Sequence, residues 1–317
     1  NATRFVLMNL EGFKDGSSRL DVDAKPLPVA SRWILSCCQV AAEEATRNLV
    51  QFRLAEASSV VYHFVWDYFC DWYVELAKPL MASEQPGVAE STKKVLFYVM
   101  ERIMRLLHPF APFISEELWQ KLKGMAADGG QWPESVMLAD WPEPDKTLVD
   151  DDASRQLGVL LHIVESVREV RAQYSIGRSR KLEVVIRPEK AADGNLDVKG
   201  ICESLRDEIL FMGALDELKV DDVFQPQKGA YSPRRKGPHF TTFVKIEGIV
   251  DVDKEVKALN KQIDQKKGWV QSLRKKLEND KFVSHAPAEV VDKEKQKLQD
   301  AEQILKGLEE QLALFRD

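Results

Sequence analysis

HPFAPFISEELW, His108 to Trp119, reads as the hinge between two helices. Upstream of it, Leu96, Val99, Ile103, Leu106 and Leu107 recur at helical spacing. Pro109 stops that run because proline cannot donate the next backbone hydrogen bond. A new helix starts at once. Pro112 suits the first helical position, where its missing N–H would have been unpaired anyway, and Glu116 and Glu117 lie where a helix N-terminus favours negative charge. Ile114, Leu118 and Leu122 supply an apolar face, and Lys121, Lys123 and Gly124 are ordinary C-terminal signals. A proline-separated helix pair of this kind predicts an all-helical bundle and says nothing of chemistry.

Toward the N-terminus the same periodicity persists. Ile34, Cys38, Ala41, Ala45, Leu49 and Phe52 predict a helix from Ser31 onward. Val61, Phe64, Val65, Tyr68, Trp72 and Leu76 predict another, with an aromatic stripe assigned to the core and Pro79 expected just beyond its end. Residues 1–13 read as the tail of a helix and a loop, and Asp15 to Pro28 as a connection rich in turn formers. The Trp132-Pro133, Trp141-Pro142 and Pro144 punctuation closes this antiparallel helical domain, taken as residues 1–149.

Asp150, Asp151 and Asp152 then offer N-caps to a helix with Leu157, Leu160, Leu161, Val164 and Val167 on one face. Period two at Leu182, Val184 and Ile186 predicts a strand. A helix carrying Ile201, Leu205 and Ile209 and short strands at 218–220 and 242–246 complete a small α/β domain, residues 150–250. Residues 225–239 read as loop, and Arg234, Arg235 and Lys236 in it as solvated charge.

The last stretch, residues 251–317, is the most regular. Val252, Val256, Leu259, Ile263, Val270, Leu273 and Leu277 follow steps of four and three, interrupted by Lys266. Leu298, Ala301, Leu305, Leu308, Leu312 and Phe315 repeat the pattern, and NDKFVSHAPAEVV, Asn279 to Val291, separates the two runs. A turn at Ala286-Pro287 makes this an antiparallel coiled-coil hairpin, an arm of roughly 35 to 40 Å at 1.5 Å per residue. The fold expected is therefore mainly α.

Composition narrows the functional classes. A chain of 317 residues allows two or three domains, and no apolar run is long enough to span a membrane. A formal charge of -6 argues against indiscriminate coating of nucleic acid, which depends on many Lys and Arg contacts to phosphate, but leaves room for a local basic patch. Cys37, Cys38, Cys70 and Cys202 lack metal-ligand spacing and read as core thiols of a reducing compartment. The five histidines are singly placed, no nucleophile sits in an elbow motif, and no Gly-rich loop follows a strand, so neither a catalytic nor a metal site is expected. Asn1 is an odd start for a natural chain and suggests a missing N-terminal part.

HPFAPFISEELW resembles the motif at this place in the anticodon-binding domains of class I aminoacyl-tRNA synthetases. NATRFVLMNLEGF (Asn1 to Phe13), SRWILS (Ser31 to Ser36), FCDWYVELAKP (Phe69 to Pro79) and the C-terminal hairpin resemble the valyl-tRNA synthetase family in particular. The resemblance covers essentially the whole chain and is weakest from 189 to 238. It implies the C-terminal part of an ATP-dependent ligase, cytoplasmic or organellar and monomeric, with a valine tRNA as partner. The family's His-Ile-Gly-His and Lys-Met-Ser-Lys-Ser signatures are not in this sequence. The resemblance thus implies no cofactor in this part, ATP belonging to the parent enzyme, and no aminoacylation by this part alone.

Asn1, Arg4 and Phe5 match the family's anticodon-loop readers, and an amide, a guanidinium and a ring are the groups that read unpaired bases. From the residues alone, a core Phe5 and a solvated Arg4 form the preferred reading, and the resemblance reverses it. In the family the arm lies against the outer corner of the folded tRNA, which points to Trp269, Lys275, Lys276 and Lys297; Ser272 stands where an Arg is expected. The basic first helix of the arm, with Lys254, Lys257, Lys261, Lys266, Lys267 and Arg274 besides, is also explained by ion pairs to the acidic returning helix. Two alternatives stand beside this reading: a coiled-coil interaction scaffold, and the equivalent region of an isoleucyl- or leucyl-tRNA synthetase.

Overall fold

Helix α2, Val29–Val50, alternates small and large apolar residues and buries Trp33, Ile34, Cys38, Ala42 and Ala45, so its neighbours can approach closely. The computed structural model describes residues 2–13, 27–125, 132–189, 196–227, 229–234, 239–279, 288–313 and 315. It is mainly helical with one small mixed sheet, and forms two units, residues 1–164 with 199–213 and residues 165–198 with 214–317.

In the first unit, α1 (Ala2–Asn9) precedes α2. One continuous helical path then follows, made of α3 (Leu54–His63), a π-helical stretch (Phe64–Tyr73) and α4 (Val74–Met81). It runs back along α2, as a hydrogen bond between Ser31 Oγ and the Tyr73 hydroxyl (3.1 Å), an edge contact of Trp33 with Tyr68 and the shared cluster of Ala45 and Val61 show. Helix α5 (Val88–Leu107) runs alongside α2 in α2's own direction, with Gln39 Nε2 donating to the Tyr98 hydroxyl and Leu106 packed on Ala42 and Ala45.

The π-helical turns take up more residues than α turns, so the buried set shifts phase: Phe69 is buried and Tyr68 exposed. Pro79 lies inside α4, in its last turn rather than after its end. A proline there forgoes one hydrogen bond, and burial of Val74, Leu76, Ala77 and Leu80 offsets it.

The hinge is built as the prolines require. Helix α6, Pro112–Lys123, begins with proline at its N-terminus, and His108 Nδ1 lies 2.8 Å from Ser115 Oγ, which also donates to the Ala111 carbonyl. The buried face of α6 is Ser115, Trp119 and Leu122, while Ile114 is exposed. The Trp119 ring, 4.4 Å from that of Trp132 between centroids, sets the helix rotation because it is the largest apolar surface available. Farther along, Asp150 caps α7 (Asp151–Gln173) by accepting from the Ala153 amide, and it pairs with Arg32.

The second unit holds a four-stranded sheet in the order β2-β1-β4-β3. Strand β1 (Leu182–Pro188) pairs parallel with β2 (Leu215–Val220) and antiparallel with β4 (Phe240–Lys245), which pairs with β3 (Tyr231–Arg234). The parallel pair is joined through α8 (Val198–Ser204) and α9 (Arg206–Gly213), as parallel strands need a long crossover. Strand β3 replaces the expected loop; its Pro233 is tolerated because β3 is an edge. Arg234 is correspondingly not solvated: its guanidinium lies 3.8 Å from Glu169 and bonds Ser232, whereas Arg235 and Lys236 lie outside the described residues.

Helices α10 (Val252–Leu277) and α11 (Ala288–Ala313) complete this unit. Leu259, Ile263 and Leu312 form one buried cluster and Val270, Leu273 and Ala301 another. The ion pairs Lys267–Glu309, Arg274–Glu302 and Lys276–Glu294 descend on α11 as they rise on α10, so the two helices run in opposite directions. The expected turn at Ala286-Pro287 lies outside the described residues.

Candidate nucleic-acid interface

Two groups of side chains have the composition of a nucleic-acid contact, one on α1 and one on α10–α11. On α1, Val6 and, just beyond, Leu10 face the core, and Asn9 Nδ2 donates to the Phe5 carbonyl at 2.8 Å. Arg4 is therefore turned outward and exposed, Phe5 is half-buried, and Met8 is 63% exposed. Asn1 lies outside the described residues. Phe5 is thus neither a core ring nor a free one. Lys78 Nζ, from α4, stands 5.4 Å from its ring centroid and is itself paired with Glu75 one turn earlier. Lys78 is the residue the sequence reading passed over, although it sits in the quoted FCDWYVELAKP stretch three residues after Glu75.

On the arm, Lys276 and Lys297 come together from opposite helices. Both reach Glu294, at 3.2 and 2.9 Å, and the hydrogen bond from Lys297, followed by that from Lys276, holds the Glu294 carboxyl below its ordinary range. Glu294 occupies the step between Val291 and Leu298, so it is a charged residue at a seam position and is nearly buried. Lys266 takes the corresponding interruption on α10 and places its Nζ 4.4 Å from the ring centroid of Trp269, which is 44% exposed. Lys275 and Ser272 are exposed. Ion pairing accounts for Lys267, Arg274 and Lys276; among the described residues, Lys254, Lys257, Lys261 and Lys275 are exposed cations with no ion pair.

The remaining chemistry is structural. Burial pushes the thiols of Cys37 and Cys38 up to about 12, so neither is a ready thiolate. Arg102 and Arg105 line a cleft with Trp141, but they donate to the carbonyls of Glu143 and Asp140 and so tie the 139–145 segment to α5. Among the described residues no three His, Cys, Asp or Glu could hold a metal ion, and no helix is long and apolar enough to cross a membrane.

Comparison with known proteins covers the arm group with a family match, while α1 precedes the residues that the family models match. Residues 31–186 match the family described as the anticodon-binding domain of tRNA ligase, and residues 251–315 match the valyl tRNA synthetase tRNA binding arm. Valine–tRNA ligase of Carboxydothermus hydrogenoformans is 34% identical over 300 residues, which is 94% of this chain and 32% of that protein. The Oceanobacillus iheyensis enzyme is 34% identical over 95% of this chain and 32% of its own length. The Thermotoga maritima enzyme is 33% identical over 100% of this chain and 33% of its own length. The chain spans about a third of the length of these relatives. It belongs to the valyl-tRNA synthetase family, of which it carries the C-terminal part, with the anticodon-binding domain and the tRNA-binding arm.

Proposed function

We propose that this chain grips a valine tRNA on behalf of a valine–tRNA ligase, at two places and without performing the chemistry itself. Residues 1–149 form an antiparallel anticodon-binding bundle, residues 150–250 a small α/β domain, and residues 251–317 a coiled-coil arm. Asn1, Arg4 and Phe5 read the anticodon loop, where bases splayed from the stack meet a ring, a guanidinium and an amide. Lys275, Lys276, Lys297 and Trp269 meet the outer corner of the tRNA. Phosphate contacts there set position, and contacts to bases set choice. ATP and valine belong to the rest of the ligase, in the cytoplasm, and the chain acts as a monomer.

The observation that supports this reading most is the match of residues 251–315 to a tRNA-binding arm described for valyl enzymes, on a helix pair whose α10 carries exposed lysines in no ion pair among the described residues. The test is a titration of the chain with valine tRNA and a non-cognate tRNA. Tighter cognate binding that the Phe5→Ala variant weakens by about tenfold is the expected result, since stacking on one ring is worth about 1–3 kcal/mol per base. Equal binding of both tRNAs, indifferent to Phe5, would overturn the anticodon reading. No binding, together with concentration-dependent dimers in sedimentation, would instead point to a scaffold that pairs through its heptads.

A further inference from the structure

We infer that Lys78 is the positioning residue for Phe5 in RNA binding, an inference that rests on the reading of α1 as the anticodon contact. Three observations converge on it. Phe5 belongs to α1, a helix of eight residues, and its ring is only half-buried, so its own helix does little to fix its orientation. Lys78 belongs to a different helix, α4, anchored in the core by Val74, Leu76, Ala77 and Leu80. Its ammonium stands 5.4 Å over the Phe5 ring and is held in place from Glu75, so the ring is backed by a cation on a rigid support.

The chemistry that follows is that of an unpaired nucleotide. A ring backed on one face by a cation offers its remaining exposed surface to a base, and Lys78 keeps 38% of its side chain exposed, enough to meet the adjoining phosphate. Arg4, one residue earlier on α1, is exposed and adds a second cation to the same short helix. The ligand class is therefore single-stranded RNA, one base on Phe5 with its phosphate on Lys78. Glu75 keeps the ammonium over the ring while the site is empty and yields it to the phosphate when the site fills.

The experiment compares the chain with its Phe5→Ala, Lys78→Gln and Lys78→Arg variants, each titrated with a valine tRNA transcript over a range of salt. Lys78→Gln should weaken binding by about three- to tenfold and reduce the slope of log K against log salt by about 0.7, the contribution of one phosphate contact to a single strand. Lys78→Arg should restore both. Unchanged affinity and slope in Lys78→Gln, with Phe5→Ala still weakened, would overturn this inference and leave the anticodon reading intact. A loss in Lys78→Gln that Lys78→Arg does not restore would mean that Lys78 only packs α1 on α4, and would overturn it too. If Phe5→Ala has no effect, the anticodon reading and this inference fall together.

Discussion

Glu101 has no solvent exposure, and a carboxylate so placed must be held by its neighbours. Arg105 Nε donates to its Oε1 at 2.6 Å, while Oε2 has no hydrogen-bond partner. Burial raises the Glu101 pKa above the ordinary carboxylate value, and Arg105 opposes the rise. A raised folded-state pKa means that the folded chain holds this proton more tightly than the unfolded chain does. The contribution of Glu101 to stability is thus present in acid and lost as pH rises through the folded value. Glu101→Gln should remove that dependence, so the gap in urea midpoint between variant and parent should widen in the variant's favour from pH 5 to pH 8. Arg105→Ala should do the reverse and cost about 3 kcal/mol at pH 8, by leaving the charge uncompensated. A Glu101→Gln variant less stable than the parent by the same amount at both pH values would show that the proton plays no part. None of this was legible in the sequence, where Glu101 looks like any polar residue between Val99 and Ile103. Lys78 was missed for a related reason: its partner Phe5 is seventy-three positions away, and spacing reports only neighbours on one helix.

At the scale of elements, spacing succeeded where the helix was regular. The four-three steps of 252–277 named Leu259, Ile263, Val270 and Leu273, which are the buried residues of α10. It failed at Phe64–Tyr73, where π-helical turns break the phase that the counting assumed, and at β3, whose Pro233 reads as a loop signal unless the strand is known to be an edge. The arm also contains a weakness that the pattern did expose. Lys266 interrupts the seam between two buried clusters bridged by Leu305, and Gly268 and Gly307 lie at the same level, as the neighbouring Lys267–Glu309 pair shows. A Cβ on either glycine would meet nothing within 4 Å. Gly268→Ala and Gly307→Ala should therefore each stabilise the arm by about 0.5–1 kcal/mol, through the chain entropy that glycine loses on entering a helix. Amide hydrogen exchange should show slower opening along α10 and α11 and no change in α2 or α5. Faster exchange in the arm of either variant would mean that the glycines serve a close approach not seen here.

For the whole molecule the deciding quantity is where charge lies, because a chain of net charge -6 must bind a polyanion through a minority of its surface. Helix α10 carries eight basic residues against three acidic ones, yet these are not equivalent. Lys267, Arg274 and Lys276 already face carboxylates on α11, and a phosphate approaching them must displace a partner. Lys254, Lys257, Lys261 and Lys275 are exposed and, among the described residues, in no ion pair. If these four meet duplex phosphates at about 0.9 each together with Lys276 and Lys297, and Lys78 meets a loop phosphate at about 0.7, log K for valine tRNA should fall against log salt with a slope of about -6. Replacing the four lysines by Gln should leave a slope of about -2.5, carried by Lys276, Lys297 and Lys78, and should weaken cognate and non-cognate tRNA alike, because phosphate contacts carry no sequence information. A parent slope beyond about -7 would mean that Lys267 and Arg274 also exchange their carboxylates for phosphates, making the acidic face of α11 a competitor of the tRNA. A slope unchanged by the four substitutions would remove these four lysines from the interface. The sequence alone identified α10 as basic but could not divide its cations into paired and unpaired, since that division depends on which acidic residues of α11 lie opposite.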